Sequence, residues 1–202
     1  MAYSNFTFKD LKADFDIDNR VEKLFSNIKE IQASDRLLED LAIAKTQPIR
    51  SEKAKSEFIV KPILVELLKL NDKFFSIHSG DQLIADKERG LVGECDFILA
   101  RNVGTYDIRT PIITIVEAKK HDLEAGTSQC AAQLIGAREY NKIYENPMDI
   151  LYGCVTNGKL WQFLKLEDNI IWVDEEEYAL EPLPKLLGIL QSIIDYYKEH
   201  LN

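Results

Sequence analysis

Apolar residues in the first fifty positions recur at helical spacing. Val21, Leu24, Phe25, Ile28 and Ile31 form one stripe, and Leu37, Leu38, Leu41 and Ile43 form a second. The pattern predicts an N-terminal helical extension over residues 1–50, a hairpin of helices packed on the main domain and ended by Pro48. A second unit, residues 51–202, opens at Ser51. Ser51 is an N-cap residue type, and Glu52 follows in the first turn, where the helix dipole favours an acid. Phe58, Ile59, Ile63, Leu67, Leu68 and Leu70 carry that helix to about Asn71. Pro62 lies inside it and predicts a kink or a break.

The period then shifts from helix to strand. Residues 74–78 (FFSIH) and 90–101 (GLVGECDFILAR) read as strands. Residues 111–119 are the most β-rich stretch, with Ile112, Ile113, Thr114, Ile115 and Val116 in succession. Apolar side chains fall at both parities there, as in a strand covered on both faces. A helix returns from Gly126 to about Tyr144. Residues 150–156 and 159–166 flank Asn157-Gly158, a strong hairpin signal, and 170–173 predict an added edge strand. Leu183, Leu186, Leu187, Leu190, Ile193, Ile194, Tyr197 and Leu201 form an amphipathic C-terminal helix. The order predicts an α/β fold with a mixed central sheet flanked by helices on both faces, plus N-terminal and C-terminal helices.

Composition adds constraints on partners. At 202 residues the chain is long enough to bury a core without disulfides or structural metals. Lys and Arg total 25 against 34 Asp and Glu, a net charge of −9. A protein that grips nucleic acid over its whole surface needs broad positive charge to displace counterions. Any nucleic-acid partner of this chain must therefore be held locally or through a partner protein. Residues 167–181 hold seven acids and no base, and such a run is expected to lie away from a nucleic-acid cleft or to shield it. No apolar run reaches the ~20 residues of a membrane span, and the N-terminal stretch lacks the features of a secretory signal. Cys95, Cys130 and Cys154 are odd in number and far apart. They read as small buried hydrophobes of a protein in a reducing cytoplasm.

Candidate chemistry centres on three residues. Asp96 interrupts an otherwise apolar strand, and Glu117 and Lys119 end the most hydrophobic one. Residues two apart on a strand share a face, so Glu117 and Lys119 project together, and Asp96 joins them if the strands are neighbours. Two carboxylates bind a hard divalent cation, and Mg²⁺ takes one or two such ligands beside waters and substrate phosphate. A nearby lysine orients water or offsets developing charge. Taken alone, Glu-x-Lys describes a solvated strand exit equally well. Asp, a β-rich segment, Glu-x-Lys and a helix, in that order, form a more specific pattern.

The segments GLVGECDFILAR, PIITIVEAKKHDLEAGTSQCAAQLIGAREYN and ILYGCVTNGKLWQFLKL together resemble the PD-(D/E)xK nuclease superfamily. They are similar to its compact single-domain members and, more distantly, to the nuclease domain of type I restriction motor subunits. The resemblance spans about residues 51–166, and it implies a restriction-endonuclease-like αβββαβ core around a mixed four-stranded sheet. It also implies cleavage of DNA with Mg²⁺, or with Mn²⁺ as a substitute. Asp96 matches the first acid, although Cys95 stands where the motif has Pro. Glu117 and Lys119 match the (D/E)xK pair. The resemblance implies Asp96 and Glu117 as metal ligands and Lys119 as the water-positioning group. It also implies a further acid on the first core helix, for which Glu57 is the choice and Glu52 the alternative. A glutamine facing the site is implied too, with Gln129 preferred over Gln133. Tyr140 matches a related aromatic position only loosely.

Other features read as structural. Glu66 is expected to be exposed, His78 to be a structural histidine, and Lys120 and His121 to be loop residues. Gly90 and Gly93 are expected to permit a bulge or a close approach, and Trp161 and Phe163 to form a packed face. A catalytically inactive nuclease-fold module that acts with a partner protein is the alternative function. An accidental match would put the Asp96 and Glu117 carboxylates more than about 8 Å apart, too far for one cation. The N-terminal helices and the leucine-rich C-terminal helix are the candidate surfaces for a homodimer.

Overall fold

The computed structural model describes residues 2–119 and 123–201; Lys120 and His121 lie outside the described residues. A seven-stranded mixed sheet runs through the molecule in the order β1-β7-β6-β5-β4-β3-β2. The strands are β1 (Asp18–Glu22), β2 (Phe75–Asp86), β3 (Leu91–Arg101), β4 (Ile112–Ala118), β5 (Ile150–Thr156), β6 (Leu160–Glu167) and β7 (Ile170–Ala179). Helices α1 (Phe8–Phe15) and α5 (Leu123–Ile143) cover one face. On the other lie α2 (Asp35–Lys45), the broken helix α3 (Glu52–Lys55) and α4 (Lys61–Leu70), and α6 (Leu183–His200). The expected α/β class with a mixed, helix-flanked sheet is what the chain forms. From α3 to β5 the elements follow the order αβββαβ.

β4 is the centre of the sheet. All seven of its residues are buried, Val116 and Ala118 in the core under α4 and α6, Ile112 and Ile115 in the core under α5. It pairs antiparallel with β3 and parallel with β5. A parallel partner needs a crossover, and α5 supplies it. Between α3 and α4, residues Ser56–Val60 form a π turn in which the Lys61 N–H bonds the Ser56 carbonyl. Pro62 follows at the start of α4, where its missing N–H costs least, so the irregularity expected at Pro62 is met by a widened turn before it.

Three expectations need correction. The helix read over Val21–Ile31 does not form. Residues Asp18–Glu22 are instead an edge strand with every side chain exposed, paired parallel with β7. The chain then runs as an extended strap. Asn27 sits at φ +56, the Ile31 N–H bonds the Pro184 carbonyl, and Lys29 crosses α6 at Gly188. A Cβ at Gly188 would lie 2.4 Å from the Lys29 carbonyl oxygen. Leu24, Phe25, Ile28 and Ile31 therefore reach the core without a helix. The second stripe does form α2, so residues 1–50 add both helices and a strand. β7 is longer than predicted and lies inside β1, not at the edge. The implied four-stranded core is the contiguous run β5-β4-β3-β2, and β6, β7 and β1 extend it to seven strands. Glu66 is buried, with its two carboxylate oxygens 2.8 Å from the Ser34 N–H and Oγ, and so anchors the cap of α2.

Several smaller readings hold. The three cysteines are buried and reduced, and Trp161 and Phe163 pack in one core. Gly90 turns the β2–β3 hairpin at φ +81, and Gly93 lets the Tyr3 ring approach β3 closely. The leucines of α6 are spent on the chain's own core. Among the described residues no helix is long and apolar enough to cross a membrane.

Candidate active site

The C-terminal ends of β4 and β5, the N-terminal half of β3 and the start of α5 meet at one end of the sheet. The β3–β4 register ends at Phe97↔Val116, which sets Asp96 opposite Glu117 where the strands begin to part. There the Ala118 N–H donates to the Asp96 carboxylate at 2.7 Å. The backbone group freed by the splayed strands is thus used to fix an acid. Asp96 and Glu117 sit on adjoining strands, and the charge of Glu117 is felt at Asp96.

Glu117 is 4% exposed and points toward α5. Its Oε1 accepts from Lys119 Nζ at 2.9 Å and from Gln129 Nε2 at 2.5 Å, and its Oε2 accepts from Gln133 Nε2 at 2.9 Å. Lys119 Nζ also donates to Gln129 Oε1 at 2.8 Å. Gln129 and Gln133 are one turn apart on one helix face, so both reach the same carboxylate. The choice between them dissolves: Gln129 bridges Glu117 and Lys119, while Gln133 holds the other oxygen.

Lys119 is held by its backbone and by its stem. Its N–H bonds the Thr156 carbonyl at 2.7 Å, which extends the β4–β5 pairing one residue past the strand. Its aliphatic chain lies against Gly126 of α5, where a Cβ would sit 2.8 Å from Lys119 Cγ and 2.5 Å from Val155 Cγ1. Only glycine allows α5 to begin this close to the sheet.

Asp96 has a different electrostatic setting. Burial, and then the negative charge of Glu117, push its carboxyl up to about 6; the Ala118 hydrogen bond and Lys119 oppose the rise. The charge of Glu52, at the start of α3, adds a smaller push in the same direction. Glu57 does not arrive. It is 55% exposed, its nearest cation is Lys53 at 4.0 Å, and it lines a groove with Arg36 and Lys61 between α2 and α4. Five residues turn a helix by about 140° relative to Glu52, so the two acids face different ways. Of the two helix acids, Glu52, the alternative, is the one whose charge is felt at Asp96.

The remaining candidates lie elsewhere. The Tyr140 ring lies tilted against Tyr144 at 4.7 Å, three turns along α5 from Gln129. His78 is buried on β2 between Ser76 and Asp81. The acidic run forms most of β7, three strands from β4 and hence about 14 Å away in the sheet. That exceeds a Debye length of ~8–10 Å at moderate salt, so the run opposes a ligand at Asp96 only weakly. Lys55 was not signalled by the sequence: its Nζ lies 3.5 Å from the Lys119 carbonyl, one turn from Glu52.

Among the described residues no three His, Cys, Asp or Glu side chains cluster tightly enough to hold a metal ion by themselves. The donor set still suits one kind of ion. Asp96 and Glu117 offer only oxygen donors, which suit a hard divalent cation that takes its other ligands from water and phosphate. No protein-family model and no curated protein matches the sequence.

Proposed function

We propose that the chain is a metal-dependent nuclease of the PD-(D/E)xK type that hydrolyses phosphodiester bonds, with DNA as its substrate. The observation that carries this reading is the convergence of Asp96, Glu117 and Lys119, with Gln129 and Gln133 fixing the second acid. Asp96 and Glu117 would hold Mg²⁺ or Mn²⁺. The cation, when bound, offsets the negative charge that gathers on the phosphoryl oxygens.

The protein's own groups do the rest. Lys119 carries a positive charge at the edge of the site, where it orients the attacking water and offsets charge on the reacting phosphate. Gln129 keeps its ammonium and the Glu117 carboxylate in register, and Gln133 stops Glu117 from rotating away. Gly126 closes the wall behind the lysine stem. Glu52 adds a further negative group on the side of Asp96.

Incubation with Mg²⁺ or Mn²⁺ and plasmid, single-stranded or branched DNA tests the reading. Hydrolysis is expected on at least one substrate, lost in EDTA and reduced about 10²-fold or more by Lys119→Ala. Wild-type protein as inert as the variant on all of them, despite binding the metal, would assign the site to a binding module instead.

A further inference from the structure

A second groove, of about 1050 Å³, opens between α2, the start of α3, the turn at 157–159 and the segment joining β7 to α6. Its floor is aliphatic, with Leu38, Leu41, Ile49, Ile59 and Leu180. Its rim is basic. Lys45, Arg50, Lys55 and Lys159 line it against one acid, Glu181, in a chain where acids outnumber bases 34 to 25. Glu181 is paired with Lys45 at 2.5 Å. Arg50 and Lys159 are exposed and form no ion pair among the described residues.

One end of the groove reaches the Lys119 backbone through Lys55. Lys55 lines it and places Nζ 3.5 Å from the Lys119 carbonyl. Thr156, whose carbonyl holds the Lys119 N–H, leads directly into Asn157 and Gly158 on the groove wall. A polymer whose phosphate reaches Lys119 can therefore continue along Lys55, Lys159 and Arg50.

We propose that this groove holds an unpaired nucleic-acid strand flanking the phosphate to be cut, which makes the substrate single-stranded or flapped DNA. The proposal rests on the nuclease reading of the adjoining site. The basic rim takes backbone phosphates. The apolar floor is of use only to bases whose faces are open, because a duplex keeps those faces stacked inside. Aliphatic walls without hydrogen-bonding side chains at the floor give tolerance of sequence.

Fluorescence anisotropy in EDTA, with labelled oligothymidylate and a labelled hairpin duplex, separates binding from cleavage. Oligothymidylate is expected to bind about tenfold or more tighter than the duplex. Three phosphate contacts predict a slope near −2 in log K against log salt, at ~0.7 per phosphate. The exposed double variant Arg50→Glu/Lys159→Glu should fold as the wild type does and weaken oligothymidylate binding about tenfold or more. Wild-type affinity in that variant, equal affinity for the duplex, or tighter binding of a Glu/Leu amphipathic peptide would overturn the proposal. If the variant binds as well as the wild type while Mg²⁺-dependent cleavage persists, the groove assignment fails and the nuclease stands. Groove-dependent strand binding without cleavage upholds the groove and removes the hydrolytic reading.

Discussion

Asp96 sits where ionisation is unfavourable, and that has a measurable consequence. Its carboxyl is pushed up to about 6 by burial and by Glu117, above the ordinary 3.8. A group raised in the fold contributes stability that is complete below its unfolded value and is lost as pH rises through its folded value. In EDTA at pH 7.5 the Asp96→Asn variant should therefore melt higher than wild type, and the difference should vanish below about pH 4. Thermal melts across that window check it. Strand period puts Glu117 and Lys119 on one face, but that Asp96 stands across from them depends on the β3–β4 pairing, which the ordered pattern suggested and spacing alone did not fix. Glu57 was not separable from Glu52, since which helix acid faces Asp96 depends on how the helix is rotated against β4. Spacing narrowed the glutamines to one helix face but could not show that Gln129 and Gln133 divide the two oxygens of Glu117.

Elements are fixed here by close approaches and by buried anchors. Gly126→Ala should cost about 1–3 kcal/mol in urea unfolding, the usual range for overpacking. It should also slow hydrolysis at temperatures where the variant is fully folded, because the added methyl displaces the Lys119 stem. Glu66→Ala leaves the Ser34 N–H and hydroxyl without their acceptor and should cost about 1–3 kcal/mol, read from the urea midpoint, with α2 loosened first. β4, α5, the β5–β6 hairpin and α6 were readable from periodicity because each buries a patterned face. β1 and the strap after it were not. Val21 is 71% exposed, and Leu24, Phe25, Ile28 and Ile31 keep helical spacing by coincidence of where the strap crosses α6. Their conformation is decided by Asn27, Gly188 and the edge of β7, which lie outside any local window.

At the scale of the molecule, most of the acidic run lies on β7, away from Asp96, and only its last acid, Glu181, reaches the groove, where it is paired with Lys45. The acidic strand β7 lies three strands from β4, and the basic groove meets the Lys119 backbone through Lys55. Binding of a divalent cation to the folded state alone adds about 3 kcal/mol at a hundredfold excess over Kd. Mn²⁺ should accordingly raise the melting temperature of wild type and leave that of Asp96→Asn unchanged, a comparison made by scanning fluorimetry. The same variant gives the most direct test of the hydrolytic claim, because its stability rules out misfolding as the reason for lost activity. The decisive measurement is the initial rate of cleavage of labelled single-stranded and flapped DNA with Mg²⁺. Wild type should cleave at a rate abolished by EDTA, and Asp96→Asn, folded and melting higher in EDTA, should fall by about 10²-fold or more. Cleavage by Asp96→Asn at the wild-type rate, or none by the metal-loaded wild type, would contradict the account.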